Sequence, residues 1–385
     1  MAGSETGNVV AAPARPTVPD FFEGTEKRIE LDFTGSGDLR SVPRAGWEEV
    51  VRLSATQILN EKVTKEFTSF LLSESSLVVY PTKVIIKTCG RTVPICCVGK
   101  VLDLARGVGL EAEWLCYSRK NFLAPSAQPW EHQSKEAEIA LCRQACLGTG
   151  DAYVLGQMTG DHWLVYDAQF KWTDCTARGD FQVDLMMYDL PKDVQQLFHT
   201  SHEEGSREGA KMMTSSSGLG DAVASIGGEI DDYCFSPCGY SCNVHAGDAY
   251  AMVHVTPQEG CSYASFETNF GSSRAGQPTG DISGRLNDLV GRVLDVFRPK
   301  RLTLTLFIDQ GAEEFVGKAP FAAADTRYQR RTYTTTYFEQ DYAATIANYV
   351  TAEERKRARE RAGSQGDEPA AAQRRTCPEG EGASS

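Results

Sequence analysis

The 385-residue chain predicts an α+β protein built on large antiparallel sheets. Strand-like runs alternate with amphipathic helices between about residues 20 and 350. Several of these runs are joined by connections short enough to be hairpin turns, which makes neighbouring strands antiparallel. The third observation is the 41% hydrophobic content, ample for a large core. Length alone fits one big domain or two ordinary ones.

Residues 1–18 are small, polar and proline-containing, and are expected to be disordered. Glu26 to Phe33 alternates, with Ile29, Leu31 and Phe33 on one face and Glu26, Arg28, Glu30 and Asp32 on the other, the period of a strand. After Pro43, Trp47, Val50, Val51 and Ser54 fall at helical spacing. Ser134 is placed to cap a helix running to about Cys146. Residues 203–228 are rich in glycine and serine and read as a long mobile loop. Leu286, Leu289, Val290, Val293, Leu294 and Phe297 form a helical stripe that Pro299 ends, and a strand follows from Leu302 to Ile308. Residues 351–385 open on the charged block Glu353-Glu354-Arg355-Lys356-Arg357, which can start as a helix. The Gly/Glu/Ala/Ser-rich remainder is expected to be largely disordered. No internal repeat is evident by eye.

Two hairpins carry the residues of interest. Ser69–Tyr80 and Val84–Cys89 are strand-like runs separated by Pro81-Thr82-Lys83. If those three residues form the loop, Ser75 lies across from Cys89 and both side chains share a face. A two-residue loop opposes Ser75 to Thr88 and turns Cys89 away. In the second hairpin, Gly239–Val244 and Ala249–Val255 flank a Gly247-Asp248 turn, which places Ser241 opposite His254. A serine facing a histidine fits a proton-transfer pair, and equally a hydrogen-bonded structural pair.

The formal net charge of −13 and the lack of a basic stripe argue against nucleic acid and suit a cationic small molecule. No run approaches the length of a membrane span, and the first twenty residues lack the apolar core and basic start of a secretory signal. The expected setting is cytoplasmic, with the twelve cysteines reduced and packed as small hydrophobes. Cys142/Cys146 and Cys234/Cys238/Cys242 are spaced by four rather than as Cys-x-x-Cys, so no metal site is expected.

Five motifs occur in order: Phe21-Phe22-Glu23-Gly24-Thr25-Glu26-Lys27; Leu72-Ser73-Glu74-Ser75-Ser76 with Lys87-Thr88-Cys89-Gly90; Cys116-Tyr117-Ser118-Arg119-Lys120-Asn121-Phe122; Pro237-Cys238-Gly239-Tyr240-Ser241; and His254-Val255-Thr256-Pro257. Together they make residues 20–345 resemble the eukaryotic S-adenosylmethionine decarboxylases, pyruvoyl-dependent enzymes that form their cofactor from a backbone serine. The resemblance implies a four-layer sandwich, two antiparallel sheets face to face with helices outside each, in one domain over 19–350. The family's two halves are also alike in structure.

By the same resemblance Ser75 attacks the Glu74 carbonyl to give an ester, Ser241 assists the anionic ring intermediate, and His254 removes the α-proton of residue 75. The products are a β chain, 1–74, and an α chain, 75–385, that begins with pyruvoyl. S-adenosylmethionine then binds through an imine to the pyruvoyl ketone, and Cys89 protonates the α-carbon after decarboxylation, which favours the three-residue loop. No Gly-rich phosphate loop for pyridoxal phosphate stands out, Gly218-Leu219-Gly220 being weak. Glu23 and Glu26 resemble the acidic pair beside the reacting centre, against the plainer reading of an exposed strand face. Phe22 and Phe235 are the implied adenine sandwich. The family places a ribose-binding glutamate immediately after the proline of His254-Val255-Thr256-Pro257 or two residues after it; here Gln258 follows Pro257 and Glu259 is next.

Glu30 and Glu267 match a buried acidic site that binds putrescine in some members, with Lys87 and Phe307 nearby and Asp180 and Asp184 in a less similar segment. A buried carboxylate group needs a cation, putrescine or a basic side chain, and the sequence leaves that open. Monomer and homodimer are also open. Two other functions compete: a non-catalytic paralogue that activates a true decarboxylase, and a Cys-His hydrolase using Cys89 and His254, for which no orienting third residue is identifiable.

Overall fold

In a computed structural model that describes residues 24–171, 179–272, 281–338 and 342–364, the alternating Glu26–Phe33 segment becomes the middle of a sheet. Strand β1 (Lys27–Gly35) lies between β5 (Lys83–Thr88) and β6 (Leu110–Lys120). Beyond β5 come β4 (Ser75–Val79), β3 (Thr68–Leu72) and β2 (Ile58–Val63); beyond β6 come β8 (His162–Gln169) and β7 (Asp151–Gly156).

The second sheet is centred on β9 (Phe181–Tyr188), between β13 (Tyr263–Thr268) and β14 (Arg301–Asp309). It extends through β12 (Ala249–Thr256), β11 (Tyr240–Ala246) and β10 (Glu229–Cys234) on one side, and through β16 (Tyr342–Val350) and β15 (Gln329–Tyr337) on the other. Both sheets are eight-stranded and antiparallel, and their strand orders are identical when each half is counted from its own first strand. The chain is therefore an internal duplication of topology that side-chain patterns do not display.

Helices cover the outer face of each sheet, completing the four layers. Trp47, Val50 and Val51 from the helix Arg44–Leu53, with Val101 and Ala105 from Val98–Gly107, pack on Ile29, Leu31 and Phe33. On the second sheet the stripe of the helix Ile282–Phe297 packs against Leu185, Val253 and Leu304. Burying each such side chain contributes about 1.5–3 kcal/mol. The expected end signals operate: Ser134 Oγ accepts from Ala137 N–H, and Arg298 takes the left-handed conformation just before Pro299. Among the described residues no helix is long and apolar enough to cross a membrane.

Residues 203–228 are not a long loop. They form helices Arg207–Ser216 and Leu219–Ala224. Ser206 caps the first through Gly209 N–H, and Ala210, Met213, Leu219, Ala222 and Val223 are buried on the second sheet's outer side. Packing of this apolar face overrides the weak helix propensity of serine and glycine.

Between the sheets the layer is polar at its centre. Glu26, Arg28, Glu30, Asp32, Lys87, Asp184, Asn243, His245, His254 and Glu267 are all buried there. The polar face of β1 thus meets the opposite sheet rather than solvent.

Candidate active site

The Ser69–Tyr80 run is two strands, not one. The chain folds back at Ser73-Glu74, so Leu72 pairs with Ser75 and the Glu74–Ser75 bond lies at a hairpin tip. Neither tip residue takes a positive φ; Ser75 does, at +127°, a region that favours glycine. Two contacts fix the tip to its surroundings: Ser73 N–H donates to Gln57 O at 2.9 Å and Gln57 N–H to Ser73 Oγ at 3.2 Å.

The three-residue loop is also corrected. Tyr80 N–H donates to Lys83 O at 2.8 Å, which leaves Pro81-Thr82 as the loop and places Ser75 opposite Thr88. Lys83 is drawn into β5 because its ammonium bonds Glu30 and, at 2.5 Å, Asp180 in the middle layer. Cys89 nevertheless reaches the site, because β5 ends at Thr88 and strand alternation no longer governs it. Its N–H donates to Glu74 O at 3.1 Å, and its thiol lies 3.6 Å from the same oxygen.

The second hairpin has the expected register. Gly247 takes φ +67° in the two-residue turn, Ala246 pairs with Ala249, and Ser241 lies opposite His254. Gly239, at φ +121°, lets the Phe235 side chain pack close, since a Cβ there would sit 3.2 Å from Phe235 Cβ.

These tips and strand ends enclose a cavity of about 440 Å³ lined by Glu74, Ser75, Cys89, Phe235, Ser241, His254 and Gln258. His254 Nε2 is 2.9 Å from Ser75 Oγ and its Nδ1 is 2.9 Å from Ser241 Oγ. Burial, reinforced by the Lys87 charge, lowers its pKa to about 3, so the ring is neutral. A neutral imidazole carries one N–H. With that proton on Nδ1, facing Ser241, Nε2 is free to act as a base toward Ser75.

Burial, then the Glu74 and Glu26 charges, push the Cys89 thiol well above its ordinary value, so it carries its proton. That suits a proton donor and not the thiolate of a Cys-His hydrolase. Burial also raises Glu74. Ser241 contacts the imidazole, while the donor on the Glu74 carbonyl is the Cys89 amide, a role no side-chain motif signals.

Behind the cavity lies an ionic cluster. Lys87 Nζ meets Glu26 at 2.7 Å, Glu267 at 2.9 Å and Asp184 at 3.1 Å. Glu26 also accepts from Ser265 Oγ. Arg28 spans Glu30 at 2.6 Å and Glu267 at 3.0 Å, and Lys83 meets Glu30, Asp180 and, at 3.5 Å, Asp32. Burial pushes Asp184 up to about 7, while Lys87 and then Arg28 hold Glu267 down at about 2 despite burial. The carboxylates expected at a diamine site are therefore met by three cations of the chain itself. Of these, Arg28 has its place on the polar face of Glu26–Phe33 as its one sequence signal, whereas Lys83 reads in the sequence as a loop residue.

Phe307 pairs with Gln182 on β9, between Asp180 and Asp184. It packs edge-on to Trp163, at 6.1 Å between ring centres, in an apolar patch with Met186. Phe235 stacks obliquely on Tyr233, at 4.9 Å. Gln258 lines the cavity, whereas Glu259 binds Lys192 at the surface and does not substitute for it. Phe22 and Glu23 lie outside the described residues.

Residues 19–350 match the model of the family described as adenosylmethionine decarboxylase. The chain is 33% identical to the S-adenosylmethionine decarboxylase proenzyme of Dictyostelium discoideum over 349 residues, 86% of each chain. It is 35% identical over 320 residues to the proenzyme of that name from Oryza sativa subsp. japonica, covering 79% of this chain and 76% of that one. The Xenopus laevis proenzyme is 34% identical over 302 residues, 76% of this chain and 85% of that one. Among solved structures the AdoMetDC-delta26 monomer of Trypanosoma brucei has the same fold, with a TM-score of 0.52 and 24% identity over 76% of this chain and 99% of that one.

Proposed function

We propose a function from one premise: the chain belongs to the adenosylmethionine decarboxylase family. It is a proenzyme that cuts itself between Glu74 and Ser75 and then decarboxylates S-adenosylmethionine, yielding the aminopropyl donor for polyamine synthesis. One observation carries this reading. Ser75 Oγ rests on the free nitrogen of a neutral imidazole while the adjoining Glu74 carbonyl accepts from the Cys89 amide.

In the cut, His254 Nε2 takes the Ser75 hydroxyl proton as Oγ bonds to the Glu74 carbonyl carbon, and the Cys89 N–H steadies the oxygen that becomes negative. The C–N bond breaks, the proton goes to the departing amine, and an ester remains. Nε2 then removes the α-proton of residue 75. Its electrons form the Cα=Cβ bond and Cβ–Oγ breaks, releasing the Glu74 carboxylate. Hydrolysis of the dehydroalanine expels ammonia. Ser241 acts through His254, holding Nδ1 and with it the tautomer. The cut leaves one domain over 19–350 in two chains, 1–74 and 75–385. β3 and β4 stay paired across it.

The residues present fit a pyruvoyl group, since Ser75 supplies its carbons within the cavity. That group supplies the electron sink for the carbanion left when carbon dioxide departs. Cys89 holds a proton at the same cavity, Phe235 offers an aromatic wall to adenine, and Gln258 an amide to the ribose hydroxyls. Glu26 is held by Lys87, with Glu23 proposed as its partner. Arg28, Lys83 and Lys87 hold the carboxylates in place of putrescine.

The test is carbon dioxide release from carboxyl-labelled S-adenosylmethionine by the cut protein. Turnover is expected without putrescine, and Cys89→Ala is expected to lose about 100-fold or more of it. A fully cut protein that releases none would overturn the assignment.

A further inference from the structure

Ser76, next to the cleavage serine, has a role that neither the motif nor the cleavage chemistry assigns. It is fully buried in β4 and its side chain faces the second sheet. Its hydroxyl donates to Asn243 Oδ1 at 2.6 Å, and its Oγ lies 3.4 Å from His254 Nε2. Asn243, also buried, has no hydrogen-bond partner on Nδ2 among the described residues. A buried amide left half-satisfied needs a reason. Here its orientation presents Oδ1 to Ser76 and so fixes the hydroxyl hydrogen away from the imidazole. A lone pair of Ser76 Oγ is left toward Nε2.

In the precursor this contact is idle, because Nε2 also carries a lone pair and is engaged by Ser75. During ester formation Nε2 also gains a proton, from Ser75, but Ser75 Oγ stays beside it as an acceptor. The situation inverts at the elimination. When Nε2 has taken the α-proton of residue 75, both ring nitrogens carry hydrogens, and Ser75 Oγ is departing as part of the Glu74 carboxylate. Nδ1–H already has Ser241. We propose that Ser76, oriented by Asn243, is a positioning residue that accepts the new Nε2–H and stabilises the imidazolium of the elimination step. The proton later leaves with the ammonia released by hydrolysis, and the ring returns to neutral. The buried site otherwise disfavours a charged ring, so an acceptor fixed on a rigid strand lowers the barrier of this step in particular.

The inference rests on the self-cleavage reading above. It is tested on the full-length precursor made by cell-free translation, followed by denaturing mass spectrometry with and without hydroxylamine. Hydroxylamine splits an ester at residue 74 and leaves an amide intact. Ser76→Ala is expected to form the ester normally and to slow elimination ~10- to 100-fold, as for losing a hydrogen bond to a charged group. An uncut band that hydroxylamine converts to two chains should therefore accumulate. Ser76→Ala/Asn243→Leu removes both polar partners together, which avoids a stranded buried acceptor, and is expected to accumulate the same ester.

A merely structural role would slow ester formation too, so accumulation of a hydroxylamine-resistant precursor in both variants overturns the proposal. Wild-type cleavage rates in either variant overturn it as well, while leaving the self-cleavage reading standing. A wild-type chain that stays uncut overturns that reading, and this role with it.

Discussion

The tips of β3–β4 and β11–β12 occupy equivalent places in two sheets of the same strand order, yet they are built differently. At Gly247-Asp248 the glycine takes the positive φ and Ala249 begins β12 without strain. Ser73-Glu74 has no glycine, and the positive φ falls on Ser75, the first residue of β4. The surroundings differ as well. The Asp248 carbonyl accepts from Tyr80 Oη at 2.8 Å beside a cavity of about 250 Å³ lined by Arg28, Glu30, Lys83 and Asp180. The Glu74 carbonyl accepts from the Cys89 amide, and its neighbour Ser75 meets a neutral histidine. One end of the duplicated layer is held by ion pairs and carries a relaxed turn. The other concentrates strain, about 1–3 kcal/mol for such a residue, at the bond to be cut.

The largest effect should come at Ser75. Ser75→Ala and Ser75→Gly both remove the nucleophile, and both should leave a single chain on a denaturing gel. They should differ in stability, with glycine more stable by about 1 kcal/mol in urea unfolding because it relieves the positive φ. The same Ala-to-Gly comparison at position 249 should have the opposite sign, costing about 0.5–1 kcal/mol. Equal signs at the two tips would remove the strain argument.

Arg28→Met tests the other end. Leaving Glu30 and Glu267 short of a buried partner should cost about 3 kcal/mol of stability, read by urea unfolding, while cleavage still goes to completion. Loss of cleavage in folded Arg28→Met protein would mean that the two ends are not separable.

The smallest effect is an absence. A histidine held at about 3 stays neutral as pH falls through about 6.5, so the cleavage rate should show no inflection there. Stability follows a different rule. Between about 6.5 and about 3 the unfolded histidine binds a proton that the folded one refuses, so each step down in pH favours unfolding. From this group alone the slope is at most about 1.4 kcal/mol per pH unit. A cleavage rate that halves near pH ~6.5 would show the imidazole titrating normally.

What the sequence discloses follows the same contrast. The β11–β12 register was legible because Gly247-Asp248 announces its turn, and the strand at Glu26–Phe33 and the helix ending before Pro299 were legible from their periods. The β3–β4 tip was not, because Ser73-Glu74 carries no glycine, proline, asparagine or aspartate to mark a turn. The β4–β5 register was misjudged by one residue, since what draws Lys83 into its strand is Asp180, almost a hundred positions away. Arg28 was visible as a polar alternate, but its partner Glu267 lies in the other half of the chain. The helices within 203–228 owe their existence to an apolar face that composition conceals.

The most direct test is the intact mass of the purified wild-type protein under denaturing conditions. Two chains are expected, 1–74 and 75–385, the larger lighter by one ammonia than a fragment beginning with serine. A single uncut chain, or a larger fragment with an intact serine terminus, would contradict self-cleavage to a pyruvoyl enzyme.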